Sequence, residues 1–199
     1  MERFFNSDSP FMKMLSWVVD LIVLNLLTLL ASLPVITFGA AYSALYQSLD
    51  RLSRDEGNIY SGYFQSFRTH FRQATYTWVV LLAAFFVVVT SFYFYWNAGI
   101  KVLTVFVIAA LIVWFAIFVW VFPLLTKSKK AFHQLLREAF FAGIGYFPKT
   151  IMMIVLHILP CILLLYPAVF VKSSFVLILI WFSLVGDVSR RIVNKVIKE

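Results

Sequence analysis

Asp20 is the one carboxylate of this chain that stands well inside an apolar run. A charge at the centre of a bilayer costs about 2.5–3.5 kcal/mol on insertion scales. Such a group therefore finds a polar partner, takes up a proton, or serves a polar ligand or an ion. Asn25 follows five residues later, and Tyr42 and Tyr46 lie in the next helical stretch. Asp20, Asn25 and Tyr46 are thus the candidate polar site within the membrane. The structural alternative for Asp20 is a hydrogen bond to another helix, from Tyr42, Tyr46 or an arginine at the membrane surface. For Asn25 the plainer account is interhelical bonding, worth about 0.6 kcal/mol on average in membrane bundles.

A second group of candidates lies further on. Tyr60, Phe64, Phe67 and Phe71 fall at i, i+4, i+7 and i+11, which puts them on one helical face. Arg68, His70 and Arg72 fall largely elsewhere. Phe132, Leu135, Leu136, Ala139, Phe140 and Gly143 repeat the pattern, with Lys129, Lys130, Arg137 and Glu138 at polar positions. Both segments read as amphipathic helices in the cytoplasmic interface, each feeding the next span. The simple reading is a solvated pair of helices that sets topology. The sharper one is a docking surface for a partner, with Tyr60, Phe64, Phe67, Arg68, Phe71 and Arg72 as its contact residues.

Other chemistry lacks its residues. There is no Gly-rich phosphate loop ending in Lys-Ser or Lys-Thr, and no His-Glu-x-x-His. His70, His133 and His157 have no metal-ligand spacing. His157, three residues before Pro160, reads as packed and hydrogen-bonded. Cys161 is the single cysteine, so neither an intrachain disulfide nor a cysteine-based metal site can form. No catalytic residue, metal or cofactor is expected.

The elements that must position these residues follow from composition. Of 199 residues, 62% are hydrophobic and 13% charged, against about half and about a quarter in soluble domains. There is too little polar surface to cover such a core in water, whereas lipid solvates it directly. The net charge of +8 would suggest nucleic acid in a soluble chain. Here the basic residues sit between apolar spans, so membrane topology explains them and no nucleic acid is expected. Residues 1–9 do not form a convincing cleavable signal and read as retained.

A spanning helix needs about 20 mostly apolar residues. The first runs over 11–33, capped by 6–10. Pro34 ends it, since proline lacks the backbone donor and disfavours helix before it. A second, more polar helix covers 35–52. Its Gly39, Ser43, Ala40, Ala44 and Ser48 recur every four residues and permit close helix contact, within the chain or between copies. Pro34 and Gly39 define a demanding turn. Further helices are expected over 74–96, 102–125, 150–166 and 168–186. The expected fold is therefore all-α. It is a single integral membrane domain, 1–199, with a polytopic bundle of six helices and the two interfacial ones.

With six crossings, only Lys101 and Lys172 fall on one side, leaving 15 of 17 basic residues on the other. Both termini are then cytoplasmic. A five-helix alternative, in which 34–52 does not cross, moves Arg3 and Lys13 outside and separates the charges 13 to 4.

Several of these residues carry a resemblance. Asn6-x-Asp8-Ser9-Pro10, Asp20-Leu21-Ile22, Asn25-Leu26-Leu27, Ser32-Leu33-Pro34-Val35-Ile36-Thr37-x-Gly39-Ala40-Ala41 and Ala44-Leu45-Tyr46 resemble the YesL-like family of bacterial membrane proteins. Phe64-x-x-Phe67-Arg68-x-x-Phe71-Arg72-Gln73-Ala74-Thr75 is similar to it as well. That family carries a domain of unknown function, and its genes often neighbour those of carbohydrate ABC importers. The resemblance implies an accessory or regulatory subunit of an oligosaccharide importer in the bacterial cell membrane. The bilayer and permease subunits would be its partners, and it would have no ATPase activity of its own. It defines no catalytic residue. A small independent transporter or channel is the alternative, motivated by Asp20 and the break at Pro34. A membrane-embedded enzyme is the third reading, and no acid/base or nucleophile constellation supports it.

Overall fold

The computed structural model describes residues 10–56, 58–127, 130–165 and 167–198; of residues 10, 160–179 and 198 it describes the backbone alone. The cap expected at 6–9 and the side chains of Cys161 and Lys172 lie outside the described residues. The described chain is all helical. Its helices are α1 (Pro10–Ala31), α2 (Phe38–Leu52), α3 (Ile59–Asn97), α4 (Lys101–Lys127), α5 (Phe132–Gly145), α6 (Phe147–Leu165) and α7 (Pro167–Lys198).

The break at Pro34 forms as its chemistry requires. Pro34 is extended, at φ −74° and ψ 112°, and a single 3-10 turn, Val35–Thr37, precedes α2. The Thr37 hydroxyl donates to the carbonyls of Ala31 and Pro34, satisfying groups freed at the end of α1. The helices on either side are therefore shorter than the sequence suggested.

The 15-residue α2 is the most polar of the expected spans, and it is also the core of the bundle. It packs against α1, α3, α4 and α7. Small residues allow this. A Cβ on Gly39 would lie 2.6 Å from both the Ala74 carbonyl oxygen and the Trp78 Cβ. Larger side chains fill the remaining space: Leu45, Leu49, Tyr42 and Tyr46 meet Leu24, Trp120, Phe122 and Val193 in one buried cluster.

The first expected interfacial helix does not exist as a separate element. Residues 59–97 form one helix of 39 residues, about 58 Å long at 1.5 Å per residue. Asn58 caps it, accepting from the Tyr60 and Ser61 amides at 3.2 and 3.3 Å. No proline or glycine interrupts it between Gly62 and Asn97, so the amphipathic and apolar halves fuse. The second amphipathic segment is separate: α5 buries Leu135, Ala139 and Gly143 and turns through 103° into α6.

The helices α1 (from Phe11), α3 and α4 are long and apolar enough to cross a membrane. The bent α5–α6 pair makes a fourth if it is one broken span. At about 22 Å, α2 falls short of a hydrocarbon core of about 30 Å. The turn before it is also low in the bundle: the indole nitrogen of Trp78 donates to the Val35 carbonyl at 2.7 Å. From Trp78, α3 continues nineteen residues to Asn97, about 28 Å further. Beyond Leu81 and Trp114 the α3–α4 hairpin exposes Phe86, Val87, Tyr93, Phe94, Val102, Val105 and Phe106. The turns at 33–36 and 98–100 are thus not level along α3.

Candidate functional site

Asp20 does not reach Tyr42, Tyr46 or an arginine. It is half-buried on α1, and its Oδ1 accepts from the Tyr60 hydroxyl at 2.7 Å. The tyrosine comes from the first turn of α3, so the carboxylate lies at the level of the α2–α3 turn. Asn25 sits one and a half turns along α1, fully buried, with its Oδ1 accepting from the Ser183 amide of α7 at 3.3 Å. Asp20, Asn25 and Tyr46 are therefore three separate contacts and not one site.

Tyr46 belongs to a row that the sequence did not show. Its hydroxyl donates to the Tyr42 oxygen at 3.3 Å, and the Tyr42 hydroxyl meets Nε2 of His157 at 2.5 Å. Nδ1 of His157 lies 2.7 Å from the Met153 carbonyl oxygen. Both tyrosines are buried, and Phe118 and Phe122 of α4 pack around Tyr42. Helical spacing places Tyr42 and Tyr46 on one face of α2. The partner is 115 residues away, and no local pattern points to it.

A larger polar cluster closes the end of the bundle where α2, α4 and α7 meet. Asp50 Oδ2 accepts from Lys127 at 2.8 Å and from Arg54 at 2.9 Å, while Oδ1 accepts from Asn194 at 3.0 Å. Burial alone would raise the Asp50 carboxyl. The hydrogen bonds from Lys127 and Asn194 and the charges of Lys127 and Arg54 outweigh it, holding the carboxyl below its usual range. Next to it, the buried Arg190 bonds to Asp187 at 2.6 Å and to the Ser53 hydroxyl at 2.7 Å. Arg191 reaches the other Asp187 oxygen at 2.7 Å. These contacts form because α7 runs on to Lys198 rather than stopping near 186. The Asp187, Arg190 and Arg191 spacing is an i, i+3, i+4 signal that was open to sequence reading.

The predicted aromatic face is split by the real helix. Gly62, Tyr63, Ser66 and Ala74 are the buried residues of this half of α3. Phe64 and Phe71 point outward, 55% and 40% exposed, with Arg68 and Arg72 exposed between and beside them. Phe67 is half-buried and its ring lies 5.4 Å from that of Phe71. Among the described residues Arg68 and Arg72 carry no hydrogen bond or ion pair. His70 faces inward and bonds to Gln47 of α2 at 3.1 Å. Among the described residues no group of three or more His, Cys, Asp or Glu could hold a metal ion.

A family model described as a protein of unknown function, DUF624, matches residues 21–92, from α1 through α2 into the apolar half of α3. No curated protein matches the chain, and no solved structure matches it.

Proposed function

We propose that this chain is a non-enzymatic membrane subunit whose α3 face docks on the membrane-embedded permease of a carbohydrate ABC importer. The observation that carries the docking is the outward stripe of Phe64, Arg68, Phe71 and Arg72 on a helix held from behind by buried Tyr63, Ser66 and Ala74. Exposed aromatics beside unpaired cations on a rigid helix suit binding, because little order must be lost on association. Arginines left without partners favour acidic loops on the other surface. The importer itself rests on the resemblance to the YesL-like family.

The chain is multi-pass with both termini cytoplasmic in this reading. The Asp20–Tyr60 and Arg190–Ser53 bonds bring α1 and the end of α7 to the α2–α3 turn, where Arg51, Arg54 and Lys127 also gather. The α3–α4 hairpin crosses the bilayer and carries Lys101 to the far side. The α1–α2 hairpin makes two further passes along the bundle but stops short of that outer face.

A photo-crosslinking residue at position 64 or 71 tests the docking in native membranes. Adducts with a permease subunit are expected from both positions, and not from position 93 in the apolar hairpin. Adducts with lipid alone at 64 and 71 would reduce the stripe to a membrane anchor. The second reading, a small independent transporter, draws on the buried Tyr46–Tyr42–His157 row; solute flux in liposomes holding this chain alone separates the two.

A further inference from the structure

We propose that the elbow between α5 and α6 binds one anionic phospholipid of the inner leaflet, with its phosphate at Arg137 and an acyl chain in the apolar corner beside it. Two cavities line neighbouring faces of α5. The first is an open cleft of about 670 Å³ along Lys130, Gln134, Arg137, Phe141 and Tyr146. The second is a corner of about 350 Å³ where Ile112 and Ala116 of α4, Phe140 and Ile144 of α5, and Phe147 and Ile151 of α6 converge. Both have the size of ligand sites, about 300–1,000 Å³. Spacings of three and four residues put Arg137, Phe140, Phe141 and Ile144 on one exposed strip of α5, which links the two. The elbow is held from inside. The Thr150 hydroxyl accepts from the Trp120 indole at 2.9 Å and reaches the Gly143 carbonyl at 3.0 Å. A chain entering a corner already fixed orders little protein.

Depth along α4 sets the two cavities in the order of a lipid molecule. The helix α5 starts just after α4 ends at Lys127 and doubles back, until a Cβ on Gly143 would stand 3.2 Å from the Ala116 Cβ. The depth rests on the crossing of the α3–α4 hairpin proposed above, and not on the permease. With Lys101 at the outer surface, Ala116 lies about 22 Å and Lys127 about 39 Å inward along α4. The inner border of a hydrocarbon core of about 30 Å therefore falls between them. The apolar corner lies inside that border, and the cleft runs across it towards Lys130.

The charges select the headgroup. Lys130 is matched by Glu138 at 2.6 Å. Arg137 makes no hydrogen bond or ion pair among the described residues, and its guanidinium lies 5.6 Å from the centre of the Phe141 ring. Lys149 stands 4.9 Å from the centre of the Tyr146 ring, which lines the cleft. Three cations against one carboxylate favour an anion, and the planar guanidinium fork binds phosphate oxygens in pairs. Basic pockets on the cytoplasmic side of membrane helices hold acidic headgroups in this way. A zwitterionic headgroup brings its own cation towards Arg137 and Lys149, which disfavours it.

Native mass spectrometry of the full chain in mild detergent tests the site without any permease. Phosphatidylglycerol and phosphatidylcholine with the same acyl chains are titrated in separate runs. The expected result is one phosphatidylglycerol held per chain, with phosphatidylcholine lost. Arg137→Gln should weaken phosphatidylglycerol about tenfold, the size expected from losing a charge-assisted contact, and Lys101→Gln at the outer turn should not. Ile151→Trp, which fills the corner, should weaken the lipid as well. Soluble glycerol phosphate, which carries the same anion without a chain, should bind far more weakly than the lipid. Equal retention of the two lipids overturns the proposal, and so does an Arg137→Gln chain that holds phosphatidylglycerol as before. Equal losses in Arg137→Gln and Lys101→Gln would mean attraction by overall charge, and glycerol phosphate binding as tightly as the lipid would mean a small-anion site; either result contradicts it. If Arg137→Gln lowers the melting temperature, Lys149→Gln replaces it and must show the same loss.

Discussion

The Tyr60 hydroxyl donates to Oδ1 of Asp20 at 2.7 Å, tying the first turn of α3 to the middle of α1. Hydrogen bonds to a charged group contribute about 1.5–3 kcal/mol, and partial exposure reduces that here. Tyr60→Phe should lower the melting temperature in detergent by an amount corresponding to about 1 kcal/mol. Asp20→Asn should be milder than Asp20→Leu. In a double-mutant cycle, Tyr60→Phe should cost almost nothing once Asp20 is Leu. Fully additive losses would mean that the two side chains act separately.

Gly39 has no room for a side chain. The Ala74 carbonyl and the Trp78 Cβ lie 2.6 Å from where its Cβ would stand, and backbone cannot swing aside. Gly39→Ala should already cost about 1–3 kcal/mol by overpacking, and Gly39→Leu should abolish folded yield. Gly145 is the control: a Cβ there meets nothing within 4 Å. Gly145→Ala should leave the melting temperature the same or slightly higher. Equal yields for Gly39→Ala and Gly145→Ala would contradict the close α2–α3 packing.

Much of this architecture is legible from local chemistry. The uncharged runs at 74–96 and 102–125 lie within α3 and α4, and Pro34 breaks the chain because it cannot donate a backbone hydrogen bond. Residues 59–97 fuse into one helix because a change of polarity does not by itself end a helix, and no proline or glycine stands between Gly62 and Asn97. Asp20 meets Tyr60 rather than Tyr42, Tyr46 or an arginine, because hydropathy gives depth along one helix but not which neighbour stands there. Asp50 pairs with Lys127 and Asn194, 77 and 144 residues away, and Tyr42 with His157. Such contacts arise from packing, and one sequence carries no local trace of them.

Asp50 should give the fold a defined acid sensitivity. Its carboxyl is held below the ordinary range, so its contribution is complete above the unfolded value of about 3.9 and drains as pH falls through the lower folded one. At neutral pH, Asp50→Asn should melt below the unmodified protein, since Lys127 and Arg54 lose their partner. The gap should narrow below about pH 4. A gap that stays constant down to about pH 2 would show that the charge on Asp50 is not what the cluster uses.

The uneven turns make a labelling pattern. With Cys161 replaced, a cysteine at Gly99 should react with an impermeant reagent from outside, and one at Val35 should not, because it lies about 28 Å lower along α3. A cysteine at Lys195 should react only after the membrane is opened. Outside labelling at 35 would restore a full crossing by α1 and α2 to the outer surface.

The central claim is that the α3 face holds a permease, and affinity purification in mild detergent from native membranes tests it most directly. Detergent removes the anionic bilayer, so basic residues that serve only lipid headgroups lose their role there. The account predicts that a sugar-importer permease co-purifies with the unmodified chain. The combined Arg68→Glu and Arg72→Glu reversal, on exposed residues away from the core, should lose it while the fold and its melting temperature are kept. A complex that survives the reversal, or a chain that brings down no permease, contradicts the account and leaves the independent transporter as the better reading.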